Sequence, residues 1–164
     1  MVKVKLNVPL IKQMPELPTG CEITAVTMML QYAGAKVNKI NLAQEMPRDK
    51  TDANKGFVGD PFSEEGNTIY PPALMNLVTK YAGNAVDLTN RSIDELKSYF
   101  EKNHHPIVAW VGDFDGFHIH ALVLTGFTEN VVYYNDCWTG EKTKMPIKEF
   151  LSIWLIMGNR AISY

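Results

Sequence analysis

Residues 23–35 contain no charged side chain, and this stretch constrains the fold more than any other feature of the sequence. Its apolar residues recur with the period of a helix, and its polar residues form only a narrow arc. The main apolar stripe comprises Ile23, Val26, Leu30 and Ala33, and the arc comprises Thr24, Thr27 and Gln31. Because such a helix has almost no face that favours water, it must be buried nearly all round. We therefore predict that it is the central helix of the fold.

The residues just before this stretch have the features of a helix start. Thr19 and Glu22 fit a capping box, in which each side chain bonds a free backbone amide of the first turn. We expect Gly20 to leave room for a molecule that approaches Cys21, and Gly34 to end the helix.

The rest of the sequence divides into helices followed by strands. Helices are predicted over residues 38–46, 72–82, 93–102 and 146–154, with a second capping box at Ser92 and Glu95. Strands are predicted over residues 106–111, 118–127, 131–135 and 160–164, with a hairpin turn at residues 128–130. No repeat or linker interrupts this order. We therefore predict one α+β domain over residues 1–164, with N-terminal helices and a C-terminal antiparallel sheet.

Composition and charge exclude some classes of function. The chain has 164 residues and a net charge of −2, so it lacks the basic surplus of a nucleic-acid-binding protein. No apolar run approaches the roughly 20 residues that span a membrane. The N-terminus lacks the features of a signal peptide and goes almost directly into strand-like alternation. We expect either a cytoplasmic protein or one whose leader has been removed.

The two cysteines, Cys21 and Cys137, are too few for a disulfide scaffold and lack the paired short spacing of a zinc site. Each is compatible with a buried packing residue, since free cysteine is usually buried. Cys21, however, stands at a helix start, where the helix dipole and free amides favour a thiolate. Its backbone amide could donate to an oxyanion. The sequence therefore leaves two interpretations of Cys21, a packing thiol and a nucleophile.

A nucleophilic cysteine needs a base, and the sequence offers four histidines. His104 and His105 precede a proline in a polar stretch and are expected in an exposed loop. His118 and His120 would share one face of a strand. His120 begins an apolar run that would hold its ring rigidly, whereas His118 could be a rim residue. A buried structural histidine is the alternative for either.

A catalytic histidine usually has a third group that orients its ring. Asn135 and Asp136 end the next predicted strand, sixteen residues after His120. Pairing in a hairpin would bring one of them beside the start of the His120 strand, and alternation allows only one to face the ring. The alternative is that both simply form a turn.

These residues resemble the papain-like cysteine peptidases, and most closely the family C-thirty-nine-like group, relatives of the double-glycine peptidases that process bacteriocin leaders. The matching segments are VPLIKQMPELPTGCEITAVTMMLQYAG, GFVGDPFSE, HIHALVLTGF and YYNDCWTG. The resemblance implies a papain-like fold with Cys21 as nucleophile, His120 as general base and acid, Asp136 as orienting carboxylate and Gln13 as oxyanion donor. Gln13 lies eight residues before Cys21, slightly further than is usual. Cys137 stands where the family often has proline, and is expected to be a half-buried residue at a strand end.

The resemblance implies a monomeric peptidase that cleaves peptide or protein substrates through a thioester, in which His120 keeps Cys21 as a thiolate. Such a peptidase needs no metal or organic cofactor and no nucleic-acid partner. The resemblance also favours an exported or cell-surface bacterial protein. Residues 49–71, a long loop rich in Gly, Pro and Asp, and residues 113–117 are the candidate substrate walls.

Three alternatives remain open at the level of sequence. An amidase or an acyl transferase could use the same thiol and imidazole. A binding domain could retain the triad without activity. Cys21, His118 and His120 could instead bind a metal ion.

Overall fold

The computed structural model describes residues 5–164, which form helices on both faces of one antiparallel sheet. The helices are α1 (Cys21–Tyr32), α2 (Lys39–Glu45), α3 (Pro71–Ala82), α4 (Ile93–Asn103) and α5 (Ile147–Ile156). The strands are β1 (Arg48–Asp49), β2 (Phe57–Val58), β3 (Val86–Asp87), β4 (Ile107–Val111), β5 (His120–Phe127), β6 (Val131–Asp136), β7 (Glu141–Pro146) and β8 (Ala161–Ser163). The sheet has the order β3-β8-β4-β5-β6-β7, and β1 and β2 form a separate parallel pair.

Alternation along the central strands produces two cores. On β5, Ala121 and Val123 pack in the core that contains α1, α2 and α3. Leu122 and Leu124, which point the other way, pack in the core that contains α4 and α5. Because both faces of β4 and β5 are covered, these strands read as continuous apolar runs in the sequence.

The central helix is buried as predicted, with every residue from Cys21 to Leu30 excluded from solvent. Its two buried hydroxyls bond back to the carbonyl four residues earlier: Thr24 to Gly20 at 2.7 Å and Thr27 to Ile23 at 2.6 Å. These bonds satisfy polar groups that would otherwise be unpaired in the core.

The predicted capping box at the start of α1 is wrong. Gly20 is the N-cap residue, and no side chain caps the helix. Thr19 instead donates to the carbonyls of Asp60 and Ser63 at 3.2 and 2.9 Å, because the long loop packs against the helix start. Glu22 points into the protein and accepts a hydrogen bond from the Thr68 hydroxyl.

Gly20 has a packing role that was not anticipated. A Cβ at this position would lie 2.8 Å from Cβ of Leu17. The turn therefore needs glycine because it packs against Leu17, which is fully buried.

Most other predicted elements are confirmed within a few residues, including the capping box of Ser92 and Glu95 on α4. The sequence analysis missed β7 and the two-residue strands β1, β2 and β3. The strand-like alternation at the N-terminus falls partly on residues 1–4, outside the described range; within it, Lys5 forms a single bridge with Gly126. Among residues 5–164, no helix is both long and apolar enough to cross a membrane.

Candidate active site

The thiol of Cys21 lies at the first position of α1, against the start of β5. Its sulfur lies near the backbone amide of Ala121 and the Glu22 carboxyl. Burial, followed by the charges of Glu22 and Cys137, raises the pKa of the Cys21 thiol well above its ordinary value. Burial and these charges therefore favour the thiol, whereas the helix start alone favours the thiolate.

His120 is fixed by Asp136. Its Nε2 lies 2.8 Å from Oδ1 of Asp136, and both side chains are almost completely buried. Asp136 pairs with Leu122, so it lies on the same face of the sheet as His120 and diagonally next to it. Burial acts to raise the pKa of Asp136, but hydrogen bonds from His120 and from the backbone amide of Trp138 oppose it, and that pKa is lowered to about 2.

Asn135 faces the opposite side of the sheet. Its amide nitrogen donates to the carbonyls of Val8 and Pro9 at 3.0 and 3.3 Å, which holds the N-terminal segment in place. The prediction that only one of the two residues can face the histidine is thus confirmed, and that residue is Asp136.

Aromatic rings cover the His120 imidazole. Phe117 stacks on it with ring centroids 5.6 Å apart, and Phe114 lies at 6.3 Å. Trp138 meets Phe117 edge-on at 4.8 Å. Since these rings keep water from the hydrogen bond between His120 and Asp136, they strengthen it.

Gln13 and Cys137 lock the segment that precedes α1 to the end of β6. The Gln13 backbone amide donates to the carbonyl of Cys137 at 3.0 Å, and the Cys137 thiol donates to Oε1 of Gln13 at 3.2 Å. Nε2 of Gln13 donates to the carbonyls of Leu17 and Pro18 at 3.1 and 3.0 Å. Cys137 is fully buried, not half-buried as predicted, and it orients the side-chain amide of Gln13.

Cys21, His120 and Gln13 line one cleft of about 290 Å³. Its other walls are formed by Glu64, Gly66 and Asn67 of the long loop and by Phe117, His118 and Ile119. Both loops that the sequence singled out as candidate walls therefore contribute to the same cleft.

His118 does not share a strand face with His120, because β5 begins only at His120. Its side chain is fully exposed and lies 3.7 Å from Asp113. The possible metal ligands that come together among residues 5–164 are His120, Asp136 and Cys137, not the set of Cys21 and two histidines that the sequence suggested. Their polar atoms already bond to one another or to Gln13.

Two acidic residues at the site were not anticipated, the buried Glu22 and the partly buried Asp115. Glu22 was assigned to a cap, and Asp115 was assigned to a loop. Oδ2 of Asp115 lies 3.5 Å from Nε2 of His120. The signal for Asp115 was the Asp-Gly pair between two phenylalanines, which is typical of a tight turn but does not reveal where the carboxylate points.

Comparison with known proteins places this geometry in a family. Residues 5–162 match the model of the Peptidase_C39 like family. The chain belongs to this family. It is 31% identical to the uncharacterized protein YvpB of Bacillus subtilis (strain 168), over 96% of this chain and 74% of that protein.

Two solved structures support the assignment of the fold. A candidate C39-like peptidase from Bacillus anthracis has a TM-score of 0.89 and 34% identity, covering 100% of this chain and 98% of that one. A double glycine motif protease from an AMS/PCAT transporter, solved in complex with its leader peptide, has a TM-score of 0.63 and 20% identity, covering 99% and 96%. The predicted papain-like α+β fold and the predicted family are both confirmed, and membership of this family indicates a cysteine peptidase.

Proposed function

We propose that this protein hydrolyses peptide bonds through a thioester on Cys21, with His120 as base and acid and Asp136 as the orienting carboxylate. One observation carries the proposal: His120 is bonded to Asp136 at 2.8 Å and lines the same cleft as Cys21. A buried imidazole held by a carboxylate beside a thiol is the arrangement that nucleophilic catalysis requires.

Burial favours the protonated form of Cys21, so the thiol proton moves during attack in the proposed mechanism. His120 accepts the proton as the sulfur attacks the substrate carbonyl, and the carbonyl oxygen becomes an oxyanion. His120 then protonates the leaving amine, and a thioester remains on Cys21. Water, deprotonated by His120, releases the acid and restores the thiol.

The oxyanion needs hydrogen-bond donors. The backbone amide of Cys21 is one of the first amides of α1, which have no carbonyl partner within the helix. We assign Nε2 of Gln13 as the second donor. It bonds to the carbonyls of Leu17 and Pro18, so an oxyanion would have to take over one of these two hydrogen bonds.

The deciding experiment is a peptide-library cleavage profile for the wild type and four variants. We expect Cys21→Ala to abolish cleavage and Cys137→Ser to retain it. His120→Asn should lose at least about a thousandfold in kcat/KM, since it removes both acid and base. His118→Asn tests the alternative base in the cleft wall and should retain cleavage, because His118 is exposed and has no contact with Asp136.

Cleavage that survives in folded Cys21→Ala would contradict the proposal. Loss of activity in His118→Asn with retention in His120→Asn would move the base to His118. The proposed acyl-enzyme can be detected by mass spectrometry after rapid acid quench. The tryptic fragment that contains Cys21 should increase in mass by the acyl part of the substrate peptide. Formation of an amide when an amine is added, without hydrolysis in its absence, would indicate an acyl transferase.

A further inference from the structure

The segment that covers His120 is a two-residue hairpin turn. The backbones of Phe114 and Phe117 exchange hydrogen bonds of 3.1 and 2.9 Å. Asp115 and Gly116 between them have φ values of 55° and 82°. This pair of left-handed residues explains the choice of Asp-Gly, since few other pairs adopt the conformation without strain. It does not require the Asp115 side chain to turn inward.

The carboxyl of Asp115 nevertheless faces the catalytic pair. Its Oδ2 lies 3.5 Å from Nε2 of His120 and has no hydrogen-bond partner among residues 5–164. Oδ1 of Asp136 already accepts the hydrogen bond from that nitrogen, at 2.8 Å. A single N–H group cannot satisfy two carboxylates, and two negative charges in this enclosed space repel each other.

The surrounding charges make this conflict stronger. The groups that act on Asp115 are His120 on β5, Asp136 on β6 and Glu141 on β7, which pairs directly with Asp136. Tyr134 on β6 also faces the group, and the charges of Asp136 and Asp115 help to raise its pKa to about 12. Burial, then Asp136 and Glu141, raise the pKa of Asp115 to about 7.

We propose that Asp115 is a positioning residue that shares a proton with Asp136 behind His120 and thereby sets the pH range in which His120 transfers protons. In the acidic state, Asp115 is protonated and donates a hydrogen bond to the ionised Asp136. A single negative charge then faces the imidazole. In the alkaline state, Asp115 releases that proton to solvent, and two negative charges face the imidazole. The second charge favours the imidazolium, so it helps His120 take the thiol proton but hinders protonation of the leaving amine.

The sharing of the proton does not depend on catalysis, whereas its kinetic effect rests on the proposed function. The test therefore begins with wild-type protein labelled with ¹³C at the aspartate carboxyls and followed by NMR from pH 3 to 9. We expect one carboxyl to titrate with a midpoint near pH 7 and to be absent from Asp115→Asn. If every aspartate titrates below pH 5, the proposal is overturned.

The second measurement follows the ¹⁵N resonances of the His120 ring, assigned with His120→Asn. We expect a step in the wild type at the same midpoint as the Asp115 carboxyl, and this step should be absent from Asp115→Asn. Asparagine keeps the turn, because Asn-Gly also adopts this conformation. Asp113→Asn is the matched control, since Asp113 also has positive φ (49°) but lies in the outer part of the same loop, beside the exposed His118. Asp113→Asn should retain the step. Loss of the step in both variants would contradict a specific role of Asp115.

The kinetic arm compares the pH profile of kcat/KM. All variants are compared in a Glu22→Gln background, because the pKa of Glu22 is also about 7. In that background, Asp115→Asn should lose the inflection near pH 7 that the parent and Asp113→Asn show. If no peptide is cleaved at any pH, the proposed function fails, and the two NMR titrations alone decide whether Asp115 and Asp136 share a proton. An unchanged inflection in active Asp115→Asn would overturn the proposal while leaving the proposed function intact.

Discussion

The carboxyl of Glu22 lies in the first turn of α1, directly after the proposed nucleophile. Oε2 accepts a hydrogen bond from the hydroxyl of Thr68, and Oε1 has no hydrogen-bond partner within residues 5–164. Burial raises its pKa to about 7, although the bond from Thr68 opposes this. Near neutral pH, Glu22 is therefore close to the point where it gains a charge beside a buried thiol.

We predict that Glu22→Gln accelerates alkylation of Cys21 by iodoacetamide at pH 8 by roughly 3–10-fold, since one pKa unit changes the thiolate fraction tenfold. The amide removes the charge that raises the thiol pKa and can still accept from Thr68. Rates are measured by mass spectrometry of the Cys21 peptide. Glu64→Gln is the control, because Glu64 lines the same cleft but is exposed, and its rate should match that of the wild type.

Glu22 also links stability to pH. Its pKa is about 7 in the folded protein and 4.5 as its ordinary value, so its contribution to stability is full below pH 4.5 and is lost as the pH rises through 7. We predict that the free energy of unfolding of the wild type falls between pH 5 and 8, and that Glu22→Gln removes roughly 3 kcal/mol of this fall. Urea titrations at several pH values measure it. Equal pH dependence in the two proteins would mean that Glu22 is solvated.

Cys137 offers a test of the orientation of Gln13. Serine at position 137 keeps a donor for Oε1 of Gln13, whereas alanine removes it. We predict that Cys137→Ala lowers kcat roughly 3–10-fold more than Cys137→Ser does, which corresponds to the loss of one hydrogen bond. Steady-state kinetics on one cleaved peptide measure the difference. Equal kcat values would show that the thiol does not orient the donor.

At the scale of elements, the long loop is docked on the start of α1 through Thr19. A Cβ at Gly66 would lie 1.9 Å from Oγ1 of Thr19 and 2.6 Å from the carbonyl of Asp60. The loop can therefore approach the helix only because residue 66 has no side chain. Thr19 and Gly66 both line the cleft, so this contact forms part of its wall.

We predict that Gly66→Ala displaces the loop, raises KM several-fold and speeds amide hydrogen exchange over residues 59–68. Gly34→Ala is the control, because its φ of 97° makes alanine unfavourable while nothing lies within 4 Å of the added Cβ. It should lower stability by about 1 kcal/mol without a change in KM. A common loss of stability with unchanged KM in both variants would contradict a role of the loop in substrate binding.

The elements that the sequence predicted correctly are those with one dominant pattern. The apolar residues of α1 and of β5 allow few environments, and the capping box of α4 uses residues on the surface, where nothing competes for them. Thr19 and Glu22 have the same local pattern, but both side chains form hydrogen bonds with residues of the long loop instead of capping the helix. A pattern of four residues contains no information about those partners.

Strand β7 was missed for a different reason. Glu141, Lys142 and Lys144 make it look like a loop, and only Met145 is buried. It is an edge strand that is ordered by its pairing with β6, so its own residues carry little of the signal. In the site, alternation correctly separated Asn135 from Asp136. Nothing local indicated that Asp115 would turn towards His120, because that depends on how the turn packs.

At the scale of the molecule, we predict that the two cores unfold as one unit, so that residues 5–164 form a single domain. Leu122 and Val123 are neighbours on β5 but belong to different cores. Leu122→Ala and Val123→Ala should each lower the free energy of unfolding, by about 2–4 kcal/mol for the leucine and less for the valine.

Circular dichroism and tryptophan fluorescence should give one coincident urea transition for both variants. Separate transitions, with each variant shifting only one, would show that the two faces of the sheet are independent. Trp110 and Trp154 report on opposite cores, so fluorescence can detect such a difference.

The charged outer edge of β7 has a consequence for encounters between molecules. An unpaired strand edge is a template on which another copy of the chain can extend the sheet. Here Lys142 and Lys144 lie along that edge, and a second copy that paired there would have to bring like charges together and strip them of water. At the other end of the sheet, β3 is only two residues long and offers little to pair with. Both ends of the sheet thus carry features that oppose edge-to-edge association in concentrated protein.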